Sequence, residues 1–426
     1  MILASVDLQR ETKLRSALAS MNRAPGIVDP FNPLVPFGKF AQIHFARILI
    51  LDDQTLGDIA VYGLPVVNLP KYLALMIDFD GETEQLLDDL VQQAADGLRL
   101  LFSYCQGSIP GADLGAWMRE HSVSAAASYV NWVGRTVKQV TEEEALRQSL
   151  QTFIRENSPA LQTMHPRQAR DMLRKLISSE QQAGVITLTP AEPTPLGWEL
   201  RNLIGIIGMP LLLLAASPFL LLYLPFFILK LRWRERSDPV IAPRVDAEHA
   251  NLLASIEDWD VTNQFSAMGS LKPGPFRLST IRFVLAVIDY TAKHIFNRGR
   301  LGRVTTIHFA RWVFLDDKKR VIFISNYDGS LESYMDDFIN KVAFGLNVVF
   351  SNGIGYPQTS WLILDGAKDE QTFKNYLRRH QMPTQVWYNA HPGLTARDRH
   401  RNALIREGLE QETMTDSEIK TWLQLF

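Results

Sequence analysis

Residues 202–229, NLIGIIGMPLLLLAASPFLLLYLPFFIL, run for 28 positions without an Asp, Glu, Lys or Arg. An uncharged stretch of that length is a membrane-segment signal. Lys230, Arg232, Arg234 and Arg236 follow at once, as at a cytosolic edge facing anionic lipid, and they predict globular parts on the cytoplasmic side. Pro210, Pro218 and Pro225 interrupt the run, and each removes a backbone donor. The segment lies mid-chain between polar, globular-looking sequences. The chain's opening, MILASVDLQRETK, reaches charge quickly and reads as a strand rather than a secretory signal.

The two flanks repeat one another. IHFAR at 43–47 recurs at 307–311, and each copy is followed three residues later by Leu-Asp-Asp. FDGETEQLLDDL at 79–90 aligns with YDGSLESYMDDF at 327–338. Identity over five consecutive residues at equivalent places marks an internal duplication. In the first copy, strands are expected at 1–8, 42–53 and 72–79, and helices at 10–21 and from 81 to about 104. Gly107–Gly111 should break the second helix. In the second copy, strands are expected at 261–271, 306–317 and 321–327, with helices at 276–296 and 330–350. Each half adds a short aromatic strand (129–132; 386–389) and a last helix (141–156; 395–411).

This order, βαββαβ in each half, predicts an α+β protein of two tandem ferredoxin-like units. Along 307–315 alternation puts Ile307, Phe309, Arg311, Val313 and Leu315 on one face, and His308, Ala310, Trp312 and Phe314 on the other. Both faces are mainly apolar. Helices cover only one face of such a sheet, so the other should meet the second copy, giving an intrachain pseudo-dimer that resembles the dimeric α/β-barrel superfamily. The expected divisions are 1–157 and 237–426 for the units, 158–198 for a helix and Pro-rich connector, and 199–236 for the membrane-inserting segment. A straight helix over the apolar run would be about 42 Å long. A single span would put the two units on opposite sides of a bilayer, so a re-entrant hairpin turning near Ala216-Ser217-Pro218 is the expectation. A tilted span and a buried core hairpin are the alternatives.

Net charge near −2 gives no sign of a nucleic-acid partner, and the single cysteine, Cys105, excludes an intrachain disulfide. No HExxH, CxxC, phosphate-loop or nucleophile-elbow pattern appears. His44 and His308 occupy equivalent strand positions, either as acid–base or haem-ligating groups or as hydrogen-bonded core residues. Arg47 and Arg311 need partners if buried; Asp80, Asp328 or the helical Asp pairs are the expected ones, with an anionic ligand as the alternative. Asp80-Gly81 and Asp328-Gly329 stand where a strand meets a helix, where Asp caps and Gly turns. His391 lies beside Asp398, Arg399 and His400, and the first copy has Val133-Gly134-Arg135 there.

The duplicated plan with these Asp-Gly pairs resembles the dye-decolourising peroxidases, whose Gly-x-x-Asp-Gly motif sets an Asp beside a distal Arg over haem. The first glycine of the motif is absent from both copies here. The resemblance implies haem as cofactor, His308, Arg311 and Asp328 as catalytic residues, and His308, His391 or His294 as the axial ligand. The functional expectation is a membrane-associated, peroxidase-like oxidoreductase acting on a lipid or other apolar membrane-borne substrate. The alternatives are a non-catalytic lipid-binding or scaffold protein, or a membrane-remodelling homo-oligomer.

Overall fold

A computed structural model of the chain describes residues 1–107, 113–191 and 193–426; most of the Gly107–Gly111 break expected above lies outside them. Its architecture is mixed α+β. The principal strands are β1 (Ile2–Ser5), β2 (Ile43–Leu51), β3 (Tyr72–Phe79), β4 (Ala127–Val130), β5 (Thr262–Ser270), β6 (Ile307–Leu315), β7 (Arg320–Asp328) and β8 (Val386–Asn389). The principal helices are α1 (Glu11–Ala19), α2 (Thr83–Ser103), α3 (Val137–Glu156), α4 (Pro166–Gln182), α5 (Leu196–Ser237), α6 (Pro275–His294), α7 (Leu331–Phe350), α8 (Glu370–His380) and α9 (Ala396–Glu410).

The strands form two antiparallel four-stranded sheets, ordered β1-β3-β2-β8 and β4-β6-β7-β5. Neither half closes its own sheet. β8 pairs with β2, Val386 opposite Ile48, while β4 pairs with β6, Ala127 opposite Trp312. The short aromatic strands are therefore exchanged between the halves, which corrects the expectation of two self-contained units. Both exchanged strands dock on copies of the same IHFAR strand, so each finds an equivalent edge.

One buried cluster draws on both sheets: Leu49, Leu51 and Met76 meet Met268, Val313, Leu315, Ile322 and Ile324. Complete burial of each such side chain contributes about 1.5–3 kcal/mol. The opposite sheet faces are covered by helices, with Leu90 and Leu98 of α2 over the first and Ile281 and Leu285 of α6 over the second.

The apolar run does not turn at Ala216–Pro218. It lies within α5, one continuous helix of 42 residues containing Pro210, Pro218 and Pro225. Each proline leaves the carbonyl four residues earlier without its helical donor. Two of these carbonyls find substitutes: Tyr290 Oη donates to Ile206 O (3.5 Å) and Ser217 Oγ to Leu214 O (2.7 Å). A hydroxyl donor in place of the lost N–H lets a proline stay inside an apolar helix.

α5 runs beside α6 and touches it near both ends. At the start His294 Nδ1 meets Asn202 Oδ1 (2.5 Å), and a Cβ at Gly205 would lie 2.5 Å from the His294 ring, so only glycine permits the approach. Near the end Phe227 packs on Phe276, ring centroids 5.4 Å apart, and Arg277 binds Asp238 at the helix cap. Between these ties the apolar side chains are exposed, Leu222 to 80%.

Candidate functional site

Both histidines of the repeated strands sit at a β-bulge. The β2–β3 register shifts between Ile43 and Phe45, and the β6–β7 register between Ile307 and Phe309. A bulge inserts one residue and re-aims the side chains around it. His44 accordingly packs against Phe309 of the other copy (5.6 Å between centroids) and His308 against Phe45 (5.4 Å). Alternation alone had put His308 on the face away from Phe309, and the bulge overturns that reading.

Each histidine is held by the aspartate expected to cap the following helix, but that aspartate serves a different helix. Asp80 Oδ1 meets His44 Nε2 (2.9 Å), and its Oδ2 accepts from the backbone N–H of Val137, the first residue of α3 (2.7 Å). In the second copy Asp328 Oδ1 meets His308 Nε2 (2.5 Å), and its Oδ2 accepts from Ala396 N–H at the start of α9 (2.8 Å). A carboxylate at a helix N-terminus completes unpaired donors and meets the positive end of the dipole. The adjoining glycines, Gly81 and Gly329, both have φ of 86°, the left-handed turn that lets the chain leave the strand.

The His44 pair leaves Nδ1 buried without a partner, and His391 Nε2 is buried likewise. The two rings lie 6.3 Å apart. Burial, then Arg399 and the two neighbouring histidines, push His391 down to about 2. Burial also holds His308 neutral below the ordinary imidazole range, against the pull of Asp328. Arg399 lies 5.3 Å from the centre of the Phe45 ring, His400 packs on Trp132, and Asp398 closes the capping box of α9 with Thr395.

Of the residues expected to share a catalytic centre, His308 and Asp328 come together and Arg311 does not join them. Arg311 donates to Asp78, whose other oxygen accepts from Asn326 Nδ2 (2.9 Å). Arg47 in turn donates to Asn326 Oδ1, to Ser266 Oγ (2.8 Å) and to the carbonyls of Phe265 (2.9 Å) and Ser325 (3.0 Å). Each arginine thus reaches across to the other copy, rather than to Asp80, Asp328 or the helical Asp pairs. Asp78 and Asn326 occupy equivalent positions two residues before the Asp-Gly pairs, a signal the sequence carried and the reading above passed over. Burial, reinforced by Arg311, lowers Arg47 to about 9.

A haem does not fit this arrangement. His308 Nε2 is engaged by Asp328, and the cavity bordered by His44, His308 and Arg399 measures about 40 Å³, whereas a ligand of porphyrin size needs a pocket of roughly 300–1,000 Å³. Of the other two candidate ligands, His294 meets Asn202, and His391, its Nε2 unpartnered, lies in the same crowded cluster with its ring 6.3 Å from that of His44. Among the described residues no group of three or more His, Cys, Asp or Glu is placed to hold a metal ion.

Room for a ligand lies on the other side of Asp80. A groove of about 800 Å³ is bordered by Asp80, Gln42, Thr136 and Lys138, and by Trp198 and Asn202 at the start of the apolar helix. The Asp80 side chain is 23% exposed and Asp328 only 8%, so the first copy opens to this groove and the second is sealed. No protein-family model, curated protein or solved structure matches the chain.

Proposed function

We propose that this chain is a monotopic membrane protein of two ferredoxin-like halves joined as an intrachain pseudo-dimer, and that it binds an amphipathic, membrane-borne molecule in the groove beside Asp80. The observation that carries the reading is α5 itself: apolar all round, tied to α6 at both ends and exposed between. α6 also carries Arg282, Asp289 and Lys293, which a bilayer interior would not accept beside a spanning helix. An α5 lying in the membrane plane, its free side in lipid, satisfies both helices. The groove then opens where Trp198 and Asn202 would meet the interface, within reach of molecules partitioning into the bilayer. The basic run after residue 229 supports a cytosolic seat.

Depth measurement tests the seat. With Cys105 replaced by Ser, bimane at single cysteines replacing Ile204, Leu213 and Leu222 should report one shallow depth in lipid vesicles; a progression through the bilayer centre overturns it. Mass spectrometry of the purified protein should find a co-extracted amphiphile that Lys138→Trp, filling the groove, reduces. A peroxidase-like reading gains no support from the crowded His308 site, and a Soret band abolished by His308→Ala would restore it.

A further inference from the structure

A cluster of buried charged groups lies at the far end of the apolar helix. Asp238, its C-cap, has a side chain only 6% exposed and holds two cations: Arg277 Nη2 at 2.5 Å and Lys272 Nζ at 3.3 Å. Arg277 is 1% exposed, and its Nε and Nη1 have no partner; the Nε of Arg234 and the hydroxyl of Tyr62 are likewise buried and unpartnered. Tyr62 lies close enough to Asp238, Arg277 and Arg234 for all three to act on its ionisation. The other carboxylate nearby, Glu235, is taken up by Arg232 (2.5 Å), Thr359 and the N–H groups of Trp361 and Leu362. Arg232, Arg234, Lys272 and Arg277 therefore face two carboxylates. Two positive charges and a set of buried donors are left over, and a buried guanidinium N–H without an acceptor is destabilising.

Next to this cluster runs a groove of about 580 Å³, lined by Leu56, Ile59, Leu64, Val67 and Leu278, with Lys272 and Gly274 at its inner end and Lys318 and Lys319 along it. Lys318 and Lys319 belong to the tight turn between β6 and β7, where Asp316, Asp317 and Lys318 all have positive φ. Phe227 of the apolar helix meets Phe276, next to Arg277 in sequence, so the groove and the cations lie at the edge of the surface assigned above to the membrane.

We propose that this is a binding site for an anionic phospholipid: the phosphate accepts from Arg234, Lys272 and Arg277, and an acyl chain occupies the groove. A lipid is favoured over free phosphate because Lys272, one of the two cations on Asp238, borders that largely apolar groove, and the cluster adjoins an apolar helix. The proposal rests on the membrane seat of α5.

The test uses the full-length protein in detergent and three probes: dioctanoyl phosphatidic acid, dioctanoylglycerol and inorganic phosphate. Phosphatidic acid should bind at least about tenfold more tightly than either of the others, as expected when charged hydrogen bonds and apolar burial act together. Arg234→Gln, at a partly exposed position, should weaken it about tenfold. Leu64→Asp should weaken phosphatidic acid and leave inorganic phosphate unchanged. Equal affinity for dioctanoylglycerol overturns the headgroup assignment, and equal affinity for inorganic phosphate overturns the acyl groove. Indifference to both substitutions overturns the site. Flotation on neutral phosphatidylcholine vesicles reports the membrane seat separately: if the wild-type protein fails to float there while the short-chain lipid still binds, the seat is wrong and the site stands.

Discussion

The two copies of the repeated strand keep the same skeleton and differ in what surrounds it. Each has a bulged histidine, an aspartate bridging it to a helix start, and an arginine crossing to the opposite copy. In the first, Asp80 borders a large groove; in the second, Asp328 is closed in beneath His391 and Arg399. Where the first has Asp78, the second has Asn326, so Arg311 binds a carboxylate and Arg47 binds the amide that is itself hydrogen-bonded to that carboxylate. The His–Asp tie is thus present in both copies, and of the two aspartates only Asp80 borders the large groove. The sequence reading had favoured the second copy, on His308, Arg311, Asp328 and His391, because it holds more histidines.

The largest effect should come from the shared carboxylate. Asp78→Ala leaves buried Arg311 without its anion and should cost about 3–5 kcal/mol, against about 1 kcal/mol for Asn326→Ala, as read by denaturant unfolding in detergent. Equal costs would break the asymmetry. Next, Asp328→Asn should lose about 1.5–3 kcal/mol as a buried, charge-assisted tie is weakened. Asp80→Asn, partly exposed, should lose less than half of that while altering the amphiphile recovered with the protein. The reverse ranking would mean that the second copy carries the ligand. The smallest effect is the acid response. His391 and His308 have folded-state values below the ordinary imidazole range, so below about pH 6.5 the unfolded chain takes up protons that the folded one refuses. Stability is complete above that pH and falls as pH drops, by up to about 1.4 kcal/mol per pH unit for each histidine. His391→Gln should flatten the slope of thermal midpoint against pH by one histidine's share. An unchanged slope would remove His391 from the buried set.

Much of the fold was legible because hydrophobic period and turn residues are local. The strands at 72–79 and 386–389 have the expected bounds, and IHFAR with Leu-Asp-Asp revealed the duplication. What failed was non-local or a matter of one residue. Alternation says which face a side chain takes but not which strand lies beside it, and two copies of one edge offer an exchanged strand equal welcome. A bulge inside an apolar strand has no compositional mark, so alternation wrongly separated His44 and His308 from the phenylalanines and arginines that also meet the other copy. Three prolines read as breaks in α5 because the hydroxyls that answer Ile206 and Leu214 lie on Tyr290, far along the chain, and on Ser217, which the hairpin reading had put at its turn. The sequence suggested Asp80 and Asp328 as caps of the helices that follow them, but Glu82 and Ser330 hold those positions, and the two carboxylates accept from the first residues of α3 and α9 instead.

The exchanged strands also set a timetable for the protein's birth. β4 must wait for β6, whose Trp312 follows Ala127 by about 185 residues. At ~5–20 residues per second, that is roughly 10–40 s of translation with an unfinished edge. β2 waits longer still, since Val386 lies about 340 residues beyond Ile48. The apolar helix leaves the ribosome inside both intervals. Its apolar surface is therefore synthesised before either sheet is complete.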